Sequence, residues 1–143
     1  MASAHARDIL LVEDDEADAF LIQDALQDQG APRNVVQAVD GIAALQHLRT
    51  LGTPHPDLIV LDLNMPRMNG HEFLDVLKND DALRTIPVVV LSTSSTPGDI
   101  ETAYGRHANA YVTKPVALDD FMNAVHSIDA FFLRTVSTPP RAA

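Results

Sequence analysis

The stretch Ile9-Leu10-Leu11-Val12-Glu13-Asp14-Asp15 sets four consecutive apolar residues directly against three acids. An apolar run without polar alternation fits a strand buried on both faces, and such strands belong to parallel sheets covered by helices. Four further apolar-rich runs have the same character: Val35–Val39, Leu58–Leu61, Val88–Leu91 and Ala110–Val112. Between them lie segments with helical spacing and their own stops. Ala19, Ile22, Ala25 and Leu26 share one face before Gly30. Ile42, Leu45 and Leu48 do so before Gly52, and Asn69 caps a segment carrying Phe73, Leu74 and Leu77. A weaker fourth helix runs from Pro97 to His107, and the fifth carries Phe121, Val125, Ile128 and Phe132 as its stripe. Strands alternating with single helices predict an α/β, doubly wound (βα)5 fold around a parallel five-stranded sheet.

The 143 residues suit one domain. With 20 Asp and Glu against 10 Lys and Arg, the net charge of −10 disfavours nucleic acid, whose binding rests on cations displacing counterions from phosphates. No apolar run approaches the roughly 18 residues of a membrane span, and the N-terminus lacks a signal-peptide core. A cytoplasmic protein with neither nucleic-acid nor membrane partners is expected. Absence of cysteine removes thiolate chemistry, and the six histidines show no ligand spacing. Residues 1–7 read as an N-terminal extension and 8–133 as the folded domain. Residues 134–143, with Pro139 and Pro140, read as a disordered tail too short for an output domain.

In a parallel sheet the strand C-termini share one edge, where open α/β folds bind ligands. Those ends are Glu13-Asp14-Asp15, Asp62-Leu63-Asn64, Ser92-Thr93 and Thr113-Lys114-Pro115. Asp14, Asp15 and Asp62 gathered there would repel one another unless a cation joined them. Magnesium is the natural choice, because it takes one or two carboxylates and leaves room for phosphate oxygens. Glu13, beside the acidic pair, is expected to be solvated. A carboxylate can attack phosphorus and form an acyl phosphate where a metal and a cation neutralise the phosphoryl oxygens. Asp62, within reach of Lys114, is the candidate nucleophile. A lone strand-end Asp more often caps a helix, and a lone Ser or Lys more often sits in a turn, so the joint placement carries this reading.

The segments LLVEDDE, VLDLNMPRMNG, VVVLSTS and AYVTKP, in this order and spacing, resemble the receiver domains of two-component response regulators from Asp8 to Phe132. The resemblance implies the flavodoxin-like strand order 2-1-3-4-5, a sensor histidine kinase as phosphodonor, and a signalling protein rather than an enzyme. It implies Asp62 as phosphoacceptor, with Asp15, Asp62 and the Asn64 main-chain carbonyl as direct magnesium ligands and Asp14 bound through water. Ser92 and Lys114 would bind phosphoryl oxygens, and Ser92 with Tyr111 would form the switch. The Lys114–Pro115 bond would be cis. On the residues alone, Tyr111 also reads as a half-buried sheet residue.

The stretches DDEADAFL and DLNMPRMNGHEFL, with a long last helix ending in Phe131-Phe132, are similar to single-domain regulators paired with bacterial phytochrome kinases. Two rival readings compete. A haloacid-dehalogenase-like phosphatase needs a proton donor where Asn64 stands, and a pseudo-receiver would act without phosphorylation although the family positions are intact. A homodimer through the fourth helix, fifth strand and fifth helix is expected, with Phe131 at the edge of the apolar stripe. Phe20, about 100° from the buried face of the first helix, is expected to be exposed near the acidic rim.

Overall fold

Each apolar run becomes a strand: β1 (Arg7–Val12), β2 (Arg33–Ala38), β3 (Leu58–Leu61), β4 (Val88–Ser92) and β5 (Ala110–Thr113). The computed structural model describes residues 6–28 and 30–139. All strand pairs are parallel, in the expected order β2-β1-β3-β4-β5. The helices are α1 (Glu16–Gln27), α2 (Gly41–Leu48), α3 (Gly70–Lys78), α4 (Pro97–Gly105) and α5 (Leu118–Ile128).

Alternation along the strands divides the core in two. Leu10, Val12, Ile59, Leu61, Val88 and Val90 face α2 and α3, where they meet Leu45, Phe73 and Leu77. Ile9, Leu11, Leu58, Val60, Val89 and Leu91 face α1 and α5, where they meet Ile22, Leu26, Phe121 and Val125. On α1 the four residues of the expected stripe are the buried ones, and Phe20 is exposed. In α2, Ala44 is buried while Ile42 is only half-buried. Each helix but the last begins at a polar side chain that accepts a main-chain N–H: Asp15, Asp40, Asn69 and Thr96. Asn69 and Glu72 form a reciprocal capping box. Among the described residues, no helix is long and apolar enough to cross a membrane.

Both ends of the domain differ from expectation. Arg7, assigned to the extension, pairs with Arg33 in the sheet. The segment from Arg134, expected as a disordered tail, continues a π-helical stretch Asp129–Thr135, and Thr138 Oγ1 accepts from Arg7 Nη1 at 3.3 Å. Residues 140–143 lie outside the described residues. The cause is a buried ion pair that joins distant parts of the chain. Arg33 donates from Nε to Asp129 Oδ2 at 2.7 Å and from Nη2 to Oδ1 at 2.9 Å. Beyond that anchor the wider turn puts Leu133 into the core, leaving Phe132 half-buried and Phe131 exposed.

Candidate functional site

The loop from β3 to α3 is held by close backbone approach. Gly70 donates to the Leu63 carbonyl at 3.0 Å, and a Cβ on Gly70 would run into the Asp62 carbonyl oxygen and lie 2.8 Å from Leu63 Cα. Gly41 likewise donates to the Met68 carbonyl at 3.1 Å, with the Met68 side chain filling the space a Cβ would need. Between them Arg67 takes a positive φ of 61°, and its Nε donates to Asp40 at 2.6 Å. This packing fixes the turn that begins at Asp62.

At the sheet edge the Asp62 N–H donates to the Val12 carbonyl at 2.9 Å, and the Lys114 N–H donates to the Ser92 carbonyl at 2.7 Å. The ladder thus brings the ends of β1 and β3, and those of β4 and β5, to one level. Carboxylate oxygens of Glu13, Asp14 and Asp62 lie within 4.8 Å of one another. Lys114 Nζ donates to Glu13 Oε1 at 2.6 Å and to Asp18 Oδ2 at 2.8 Å, and lies 3.8 Å from Asp62 Oδ1.

Two expectations are corrected here. Glu13, expected to be solvated, is 1% exposed and paired with Lys114. Asp15 is not brought into the acidic group, since its Oδ1 accepts the Asp18 N–H at 2.9 Å as the N-cap of α1. Alternation accounts for Glu13, whereas Asp15 lies past the strand and starts α1. Glu13 follows Leu11 by two, Asp62 follows Val60 by two and Lys114 follows Val112 by two, so all three project to the α1 and α5 side. That count was available in the sequence. The carboxylates gathered with Asp62 are those of Glu13 and Asp14, not those of Asp14 and Asp15.

A third correction concerns Lys114–Pro115. No peptide bond among the described residues is cis. The trans form is the ordinary preference of an X–Pro bond, and Lys114 reaches the buried acids without the other isomer.

Burial is the largest influence on the acids. It raises Glu13 to about 7 against the pull of the Lys114 hydrogen bond. It also raises Asp62, with the charge of Asp14 adding to it and that of Lys114 opposing it. For Lys114 burial works against the ammonium, but hydrogen bonds to Asp18 and Glu13 outweigh it and raise its pKa. Three crowded carboxylates with one shared ammonium form a donor set that fits a hard divalent cation.

Ser92 and Tyr111 lie on the opposite face of the sheet from that group. Ser92 is fully buried and follows Val90 by two, while Tyr111, on the edge strand beside α4, packs against the core on that same face. The Tyr111 hydroxyl donates to the Ser94 carbonyl at 2.7 Å. Asn64 is exposed beside the turn.

Residues 9–126 match the response regulator receiver domain. The chain belongs to this family. It is 41% identical over 135 residues to "Response regulator Rcp1" of Synechocystis sp., covering 92% of each. It is also 41% identical over 128 residues to "Probable methanogenesis regulatory protein FilR2" of Methanothrix harundinacea, covering 87% of this chain and 83% of that one. Among solved structures, the phosphorylated cyanobacterial phytochrome response regulator RcpA superposes with a TM-score of 0.92 at 42% identity, covering 95% of this chain and 100% of that chain. The Mn(2+)-bound form of response regulator Rcp1 gives 0.88 at 40% identity, covering 94% and 99%. The strand order and the acidic edge described above are therefore those of a receiver domain.

Proposed function

We propose that this receiver domain accepts a phosphoryl group on Asp62 in a magnesium-dependent step, from a sensor histidine kinase of the phytochrome class. The observation that carries the reading is the Asp62 carboxylate itself, buried at the end of a central strand, within 4.8 Å of Glu13 and Asp14 and 3.8 Å from the Lys114 ammonium. Likeness to the cyanobacterial phytochrome response regulators supports the choice of donor. Asp14 and Asp62, with the Asn64 main-chain carbonyl, would hold magnesium, and Glu13 adds negative charge behind them. When bound, the ion neutralises charge on the transferring group.

An Asp62 carboxylate oxygen forms the bond to phosphorus as the phosphorus–nitrogen bond of the donor histidine breaks. The departing ring nitrogen keeps the electron pair and takes a proton. Lys114 offsets the charge on the phosphoryl oxygens, and the Ser92 hydroxyl donates to one of them. The domain acts as a cytoplasmic signalling protein, with output through Ser92 and Tyr111. It pairs as a homodimer across α4, β5 and α5, where Tyr104 is 48% and Phe131 53% exposed. Incubation of wild type and Asp62→Asn with radiolabelled phosphorylated kinase tests the central claim. Label on wild type alone, and only with magnesium, is expected; equal label on both proteins overturns it.

A further inference from the structure

The Ser92 hydroxyl is tied to the turn between β4 and α4, because Ser92 Oγ accepts the Ser94 N–H at 3.2 Å. Ser94 is itself held from several sides. Its Oγ donates to Asp99 Oδ2 at 2.5 Å and accepts the Thr96 N–H at 3.4 Å, and its carbonyl accepts the Tyr111 hydroxyl at 2.7 Å. Asp99, on α4, continues the chain of bonds to α3, with Oδ1 3.0 Å from His71 Nε2.

An ionised carboxylate only accepts, so that ring nitrogen carries the hydrogen. Hydrogen bonds from Ser94 and then His71 hold the Asp99 carboxyl below its ordinary range, which keeps it an acceptor. The other nitrogen of the ring, Nδ1, is buried and has no hydrogen-bond partner among the described residues. The polar bonding of His71 therefore rests on Asp99. Beside the pair lies a cavity of about 470 Å³ lined by Leu63, Asn64, Met65, Asn69, His71 and Asp99. It touches the phosphoacceptor turn at Leu63 and Asn64 and gives these side chains room to rearrange.

We propose that His71, Asp99 and Ser94 form a latch that positions the Ser92 turn in its resting geometry and sets how readily the domain responds to phosphorylation. His71 and Asp99 are positioning residues, acting on Ser92 through Ser94. A contact made only in the resting state raises the cost of activation, so cutting it strengthens binding of any ligand that favours the active state. A merely structural contact has the opposite sign, since its loss weakens binding or leaves it unchanged.

The proposal rests on Asp62 as phosphoacceptor, and beryllofluoride with magnesium, a mimic of the acyl phosphate, tests both. Its affinity is measured by titration calorimetry for wild type, Asp62→Asn, His71→Leu, His71→Gln, Asp99→Asn and Ser94→Ala, each checked for folding by circular dichroism. Tighter binding by at least about fivefold is expected in His71→Leu, Asp99→Asn and Ser94→Ala. Near-wild-type affinity is expected in His71→Gln, whose amide still donates to Asp99. The double variant His71→Leu/Asp99→Asn should bind no tighter than either single one, since both cut the same connection. Should His71→Leu fail to fold, Asp99→Asn and Ser94→Ala carry the same readout. Unchanged or weaker binding in those variants, beside a wild type that binds, overturns the latch alone. Equal binding by wild type and Asp62→Asn overturns the reading of Asp62 and the latch with it.

Discussion

Lys114 sits nearer to Glu13 than to Asp62, with Nζ 2.6 Å from Glu13 Oε1 and 3.8 Å from Asp62 Oδ1. The ammonium is thus anchored by a carboxylate other than the proposed phosphoacceptor. On the proposed function it turns to phosphoryl oxygens once they add charge beside Asp62. Removing it has opposite effects on two measurements. Lys114→Ala should lower the rate of phosphotransfer by about 10²–10³-fold, the usual cost of losing one group that stabilises developing charge. The same change should strengthen magnesium binding by calorimetry, because the nearest competing cation is gone.

The buried acids give the metal-free domain an unusual pH dependence. Glu13 is raised to about 7 from 4.5, and Asp62 is raised from 3.8, so the folded state holds these protons more firmly than the unfolded chain. Their contribution to stability is complete below those ordinary values and is lost as the pH rises through about 7 for Glu13. Asp40 and Asp99, held below 3.8, act in the other direction, with stability present above that value and lost as the pH falls below it. Urea midpoints without magnesium should therefore fall between about pH 5 and pH 8. Glu13→Gln should flatten the slope, and a slope unaltered by that substitution would assign it elsewhere.

Asp14 and Asp15 are adjacent acids with different work. Asp14→Ala should lose more than about tenfold in magnesium affinity. Asp15→Ala should keep that affinity and instead lose about 0.5–2 kcal/mol of stability, the cost of an N-cap. Calorimetric titration and denaturant melts on the two proteins separate the roles, and a large loss of metal affinity in Asp15→Ala would restore Asp15 as a ligand.

How far the sequence reveals these features depends on how far apart the interacting residues are. Strands such as Leu58–Leu61 and stripes such as Ala19, Ile22, Ala25 and Leu26 were legible because burial imposes a short period on neighbouring residues. Asp62 and Lys114 were legible as strand ends. Glu13 was legible in principle through its parity with Leu11, yet its proximity to two further acids concealed it. The π-helical end of the domain was not legible at all. It depends on Arg33 meeting Asp129, a contact 96 residues apart that leaves no local pattern.

That same pair should dominate stability. With both side chains almost wholly buried, removing one partner strands a charge in the interior. Asp129→Ala is expected to cost about 3–5 kcal/mol in denaturant melts. Well below its melting temperature, the variant should still accept label on Asp62, since the pair lies away from the acidic edge. A loss under about 1 kcal/mol would mean that water reaches the guanidinium.

Self-association is tested at Phe131. Sedimentation equilibrium should find wild-type dimers that Phe131→Glu weakens. A wild type that stays monomeric at high concentration removes the dimer, and a variant dimer of unchanged affinity moves the interface away from this residue.

The two-sided sheet gives the acidic group and the Tyr111 side separate packing environments. By parity with Leu11, Val60 and Val112, Glu13, Asp62 and Lys114 project to one side, while Tyr111, and Ser92 by parity with Val90, project to the other. A strand accepts a new side chain at one position without displacing its neighbours on the reverse face. On the proposed function, residues around Tyr111 and α4 can therefore change to suit a new listener without displacing the acids and the lysine that meet the donor.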